Sequence, residues 1–377
     1  MVTEKCIDSS LGFLMFPACA FCYSRPGFAD TSAARIRCTR TLVSQSRRPN
    51  WQGTGNRQFR GSMEARVGTA SGSDCVVIGA AIGYGPAQVQ AFVGSLFGTG
   101  FSGRLALIVD QKQLGEFESA FPNPHVDLVA ARAWRPPMAN YHKSRLRRYL
   151  VWNAIETLGW LLQRGARLVS PRSVARHVSV LALFQKPHFT RFVIARDYLA
   201  SHSYTRVLLS DVRDVVFQSD PFEALPQSGL CVGIETDKYT LGSEYWNSRW
   251  MRSTYGQEQL RAVADNPVSC SGVTFGDGES MRTYLDAMIA EFLTMPLPAC
   301  WLGCDQAPHN FLLWTGTIGQ AEQMRPLESP IATLNAIEPD ELEIRGGLLR
   351  NRDGDVASIV HMYDRLPGLT ERLSATS

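Results

Sequence analysis

Apolar and polar positions alternate along this chain between two kinds of segment. Short β-branched runs at 74–81 (Asp-Cys-Val-Val-Ile-Gly-Ala-Ala), 105–109, 126–130 and 206–210 are too short for helices and are bounded by turn residues, so they predict strands. Between them lie helical patterns. The stretch 87–97 repeats Val89, Phe92, Val93, Leu96 and Phe97 at helical spacing behind Pro86, a residue suited to a first helical turn. A polar helical stretch covers 111–121, and another helix covers 188–201. Further strands are expected at 230–234, 271–275 and 358–361, and helices at 279–293 and 306–314. Repeated strand–helix alternation predicts an α/β fold, with a mostly parallel central sheet flanked by helices.

Two regions depart from this rhythm. From 132 to 187 the sequence carries Arg132, Arg135, Lys143, Arg145, Arg147, Arg148, Arg164, Arg167, Arg172 and Arg176 with few acids. Helices at 141–162 and 173–184 would make this a basic helical insertion. Such a surface reads either as solvated or as a contact for anionic lipid or an acidic acceptor. The other region is the N-terminus. Its longest apolar run, 11–23, is interrupted by Pro17 and is too short to span a bilayer. Residues 24–62 are rich in Arg and Ser, with Asp30 the only acid. Residues 1–70 therefore read as a leader of secretory or organelle type, or as a non-native extension ahead of Met63. A single domain is expected over 71–370, with a short tail at 371–377.

Composition narrows the classes. A 377-residue chain with 45% hydrophobic residues is globular, and a net charge of +3 does not suit a nucleic-acid binder. Four of the nine cysteines (Cys6, Cys19, Cys22, Cys38) fall in the leader, and the others are irregularly spaced, so no disulfide framework is expected. The Cys19-x-x-Cys22 pair has no second pair to complete a zinc site.

The chemistry centres on Ser-Asp-Val-Arg-Asp at 210–214, which ends the strand 206–210. Acids at the carboxyl end of a buried strand lie where open α/β sheets bind their ligands. Asp211 and Asp214 suit a hard divalent cation shared with phosphate oxygens. They equally suit an ordinary strand end, with Asp214 paired to Arg213 or Arg206. Glu235 and Asp237 follow the next strand, as sugar-binding acids or a solvated loop. Tyr245, Trp246, Asn247 and Trp250 offer faces for stacking on sugars or for core packing.

Several elements in this order resemble the GT-A nucleotide-diphospho-sugar transferases, whose mark is an Asp-x-Asp at the end of a central strand. The resemblance runs from about Asp74 to Tyr363. His188-Phe-Thr-Arg191-Phe192 is similar to the helix before that strand, and Cys270-Ser271-Gly272 to the Asn-Ser-Gly acceptor-side strand. Asp305-Gln306 is similar to the Asp-Gln helix start, and His361-Met-Tyr363-Asp364 to the late histidine segment. The resemblance implies a Rossmann-like GT-A fold and transfer of a sugar, most simply a hexose, from a nucleotide-diphosphate sugar to a glycan, lipid or protein hydroxyl. It implies Asp211, Asp214 and His361 as ligands for Mn²⁺ or Mg²⁺, with manganese favoured by the imidazole. Arg191, Asp211, Ser271 and Gly272 would meet the donor, while Asp305 and Gln306 would be catalytic.

Two residues separate the acids here, not one, and Cys270 stands where the pattern has Asn. The spacing leaves room for a second reading, a catalytically degenerate protein of the same fold that binds a sugar nucleotide without turnover. A dehalogenase-like phosphatase would need its nucleophilic Asp after the first strand, where Ala81–Tyr84 holds no acid.

Overall fold

The computed structural model describes residues 74–132, 145–169, 177–302, 304–366 and 368–369. The expected leader, the tail 371–377, and the parts of the two insertion helices at 141–144 and 173–176 lie outside the described residues.

Twelve strands are described: β1 Cys75–Ala80, β2 Arg104–Asp110, β3 Val126–Ala131, β4 Arg206–Ser210, β5 Val215–Phe217, β6 Leu230–Thr240, β7 Pro267–Asp277, β8 Ala321–Met324, β9 Ile331–Thr333, β10 Glu343–Arg345, β11 Leu348–Arg350 and β12 Ile359–His361. The α-helices are α1 Pro86–Gly98, α2 Leu114–Ala120, α3 Arg145–Val169, α4 Val178–Leu181, α5 Pro187–Ser201, α6 Pro221–Ala224, α7 Tyr245–Val263, α8 Gly278–Thr294, α9 Leu297–Leu302 and α10 Gln306–Trp314. Of the helix expected at 173–184, the described residues 177–184 form the single turn of α4 followed by a 3-10 turn over Ala182–Phe184.

Seven strands form the central sheet in the order β3-β2-β1-β4-β7-β6-β8. Strands β3, β2, β1 and β4 are mutually parallel, β7 runs antiparallel to both β4 and β6, and β6 is parallel to β8. The fold is thus α/β, with a mostly parallel mixed sheet of Rossmann-like form. The chain leaves β1 towards β2 on one side and later returns as β4 on the other. Such a reversal opens a crevice at the carboxyl ends of the two strands.

Side-chain alternation feeds two cores. Val77, Leu105, Leu107 and Val109 pack on one face with Phe92 and Leu96 of α1. Val76, Ile78, Ala106 and Ile108 pack on the other with Phe192 of α5 and Met281 and Tyr284 of α8. Burial on both faces explains why these strands read as nearly continuous apolar runs. All described residues belong to one compact unit, Ala70–Ser377.

A three-stranded sheet, β5-β12-β9, packs beside this frame over a small core of Leu334, Leu349 and Val360. Its role is positional. The pairing of β12 with β5 sets His361 level with Val215, directly after Asp214. No helix among the described residues is long and apolar enough to cross a membrane.

Candidate metal and ligand site

Asp211 leaves the end of β4 at the crevice beside β1, and its backbone N–H donates to the Gly272 carbonyl of β7 at 2.7 Å. Asp214 lies three residues on, just before β5, and its carbonyl accepts from the Met362 N–H at 2.7 Å. That bond fixes the turn after His361, although Met362 is held at φ 62°, a left-handed conformation uncommon for a residue with a Cβ. The result brings Asp211, Asp214 and His361 together: one ligand atom from each lies within 4.8 Å of the others. Nε2 of His361 is 4.0 Å from Oδ2 of Asp211.

Gly272 makes this convergence sterically feasible. A Cβ there would fall 2.7 Å from Oδ2 of Asp211 and 2.7 Å from Cε1 of His361. Real Cβ atoms do not approach so closely, so Asp211 and His361 meet across a bare Cα. Ser271 beside it contributes its backbone carbonyl, which accepts from Nη2 of Arg191 at 3.1 Å.

The electrostatics are unusual for a closed interior. His361 is fully buried, and neither Nδ1 nor Nε2 has a hydrogen-bond partner. Buried polar atoms are almost always paired, so two orphaned nitrogens on one ring mark a place built for something that binds them. Burial holds the imidazole below its ordinary pKa despite Asp214 and Asp211, which leaves it neutral, as a metal ligand must be. Burial likewise raises the Asp214 carboxyl, pulled partly back by His361 and pushed further by Asp211. Asp214 has only a long contact of 3.5 Å with Arg213, whose Nη1 donates to Asp364 at 2.5 Å. The alternative partner, Arg206, is remote in role: it donates to the Leu225 carbonyl at 2.6 Å and lies over Phe222 and Phe275.

Arg191 is neither a surface helix residue nor an open anchor for phosphate. It is buried, and its guanidinium ion-pairs with Asp211 and, at 2.7 Å, with Asp305. Burial works against its charge, but Asp305 and Asp211 overcome that and keep it protonated beyond its ordinary range. Burial pushes the Asp305 carboxyl up, yet Arg191, with His188 behind it, brings it below the usual carboxylate range. Asp305 flanks the start of α10 but makes no side-chain cap there, its carboxylate being engaged by the ion pair with Arg191. Gln306 is also engaged, donating to Oε1 of Glu235 at 2.8 Å and to Oδ1 of Asn247 at 3.0 Å.

Glu235 corrects the expectation of a solvated loop. Strand β6 runs past it to Thr240, and the residue is buried, accepting from Gln306 and from Nδ2 of Asn335 at 2.6 Å. Burial raises its pKa, and those two amides moderate the rise. Asp237, by contrast, is exposed and paired with Arg325. Asn247 is a buried structural amide, Trp246 and Trp250 pack on each other at 6.2 Å, and Tyr245 is exposed. Thr333 carries no readable signal in the sequence. It stands level with His361 across β9 and β12, buried, with its hydroxyl unpartnered.

A separate cavity of about 20 Å³, lined by Glu156, Lys186, His188, Phe292 and Cys300 among others, has room for about one water and no larger ligand. No protein-family model matches this chain, and no curated protein matches it. The meaning of the site therefore rests on its own geometry and chemistry.

Proposed function

We propose that this protein is a metal-dependent glycosyltransferase of the GT-A type, moving a sugar from a nucleoside-diphosphate sugar to a hydroxyl of a glycan, lipid or protein acceptor. The observation that carries the reading is the Asp211–Asp214–His361 cluster at the β1/β4 crevice, with both His361 nitrogens orphaned in the interior. Two carboxylates and a neutral imidazole fit a divalent cation, and the imidazole favours Mn²⁺ over Mg²⁺. A bound cation would act as a Lewis acid towards the departing diphosphate.

The chain's own residues do the rest by position. Arg191 and Asp305 hold the Asp211 carboxylate through one buried guanidinium, so that Asp211 presents its other oxygen towards His361. Gly272 keeps the approach open. In this reading Asp305 and Gln306 act as positioning residues, because their side chains are committed to Arg191 and Glu235. Asp211, with its side chain 36% exposed, is the member of the cluster that faces solvent and hence an arriving donor.

Release of nucleoside diphosphate from a panel of nucleotide sugars, assayed with Mn²⁺ and with chelator, tests the reading. Metal-dependent release from at least one donor supports it. Donor binding with no release under either condition would make the protein the degenerate sugar-nucleotide binder instead, and neither binding nor release across the panel would remove the family reading altogether.

A further inference from the structure

Helix α3 has one face inside the protein and one outside. Its inner face is fixed by Trp160, whose indole N–H donates to the Met295 carbonyl at 3.2 Å, and by Gln163, which donates to the Leu293 carbonyl. Gly159 lies against Phe184, where a Cβ would come within 2.9 Å. The opposite face is apolar and bare. Leu150, Leu158, Leu161 and Leu162 are 56%, 41%, 54% and 45% exposed, and Ala154 and Gly165 complete the same stripe at helical spacing. At 1.5 Å per residue this stripe is about 22 Å long. Trp301, 37% exposed, stands at its margin with its indole N–H on Oγ1 of Thr157 at 3.2 Å.

The sequence in and beside α3 carries charge of one sign. From 132 to 176 the sequence carries ten Lys and Arg against a single acid, Glu156. That acid is buried and ion-paired with Lys186 at 2.9 Å, so it leaves the positive balance of the segment in place. An exposed apolar stripe on a helix of basic sequence, with Arg164 exposed beside it, is the composition of a helix that lies in a membrane interface.

We propose that α3 docks this protein on an anionic lipid surface, its leucine stripe entering the acyl boundary and the arginines meeting phosphate headgroups. Pairing with a second copy is disfavoured by the same charges. The sequence is basic at both ends of the stripe (Arg145, Arg147, Arg148; Arg164, Arg167), so cations would oppose cations whether two α3 helices met parallel or antiparallel. Headgroups satisfy both ends at once.

Cosedimentation of the full chain with phosphatidylcholine vesicles, with and without about one-third phosphatidylserine, is the test. Binding to the anionic vesicles is expected, weakened by salt, and at least about tenfold weaker for the double variant Leu158→Glu/Leu161→Glu. Because both leucines face solvent, the variant should melt with the wild type, which separates lost docking from lost folding. Arg164→Glu should weaken binding severalfold. No binding to anionic vesicles, equal binding to neutral ones, or undiminished binding by the double variant would overturn the proposal. So would a lipid-free dimer that the double variant abolishes.

Discussion

His309 and His361 are both fully buried, one on α10 and the other at the end of β12, yet their rings are employed in opposite ways. Nε2 of His309 is 2.8 Å from the Ser269 hydroxyl, and its Nδ1 is 2.8 Å from the Tyr284 hydroxyl. Every polar atom of that ring is accounted for, and burial pushes its pKa down to about 4. His361 has the same burial and no partner at either nitrogen. The contrast separates a histidine that holds the fold from one that the fold holds ready. Burial alone does not distinguish them; hydrogen-bond satisfaction does.

The largest effect should come from the side of His361. In the transferase assay, Asp214→Asn should lower turnover by about a thousandfold, the scale of losing metal-assisted stabilisation of the leaving diphosphate. Turnover within a few-fold of wild type would dissociate the cluster from the chemistry. Arg191→Leu should destabilise the protein by about 4 kcal/mol in urea denaturation, since Asp211 and Asp305 would lose the cation that compensates them. A loss below about 1 kcal/mol would mean that the two carboxylates are not held by it.

On the structural side, His309→Leu should cost about 3 kcal/mol at neutral pH by removing the buried hydrogen bonds to Tyr284 and Ser269, of which Ser269 keeps its bond to the Gly233 carbonyl, while leaving any Mn²⁺ response intact. The pH dependence sharpens this. The folded pKa of His309 lies below its ordinary 6.5, so its contribution is present above that value and is lost as pH falls towards about 4. The stability gap between wild type and variant should therefore narrow by about 3 kcal/mol over that interval, and a gap independent of pH would contradict the neutral, bonded imidazole. The smallest effect belongs to His361→Leu. With no hydrogen bond to break, metal-free stability should change by about 1 kcal/mol or less. A loss as large as that of His309→Leu would erase the distinction.

How much of this was legible in the sequence depended on local signal. Strand β4 and helix α10 match their expected bounds to the residue, because each is a strong periodic run closed by a clear boundary. Strands β5 and β8 to β11 are three or four residues long, too short to show a period, and β8 reads Ala-Glu-Gln-Met with no β-branched residue. Strand β6 outlasts its apolar run because β7 keeps supplying ladder partners as far as Thr240. Within the site, Asp211 and Asp214 were visible as acids closing a buried strand. The burial of Arg191 and its pairing with Asp305 were not visible, because Phe189, Thr190, Phe192 and Val193 around it are all buried and this part of the helix offers no periodicity to tell its faces apart. The Glu235–Gln306–Asn335 network joins residues far apart in sequence, which no local pattern announces.

The central claim is that Asp211, Asp214 and His361 form one cation site. Calorimetric titration of Mn²⁺ into wild type, Asp214→Ala, His361→Leu and His309→Leu tests it most directly. Saturable binding in wild type and His309→Leu, lost in Asp214→Ala and weakened at least about tenfold in His361→Leu, is the predicted result. Equal binding isotherms in all four proteins, or none in wild type, would contradict it.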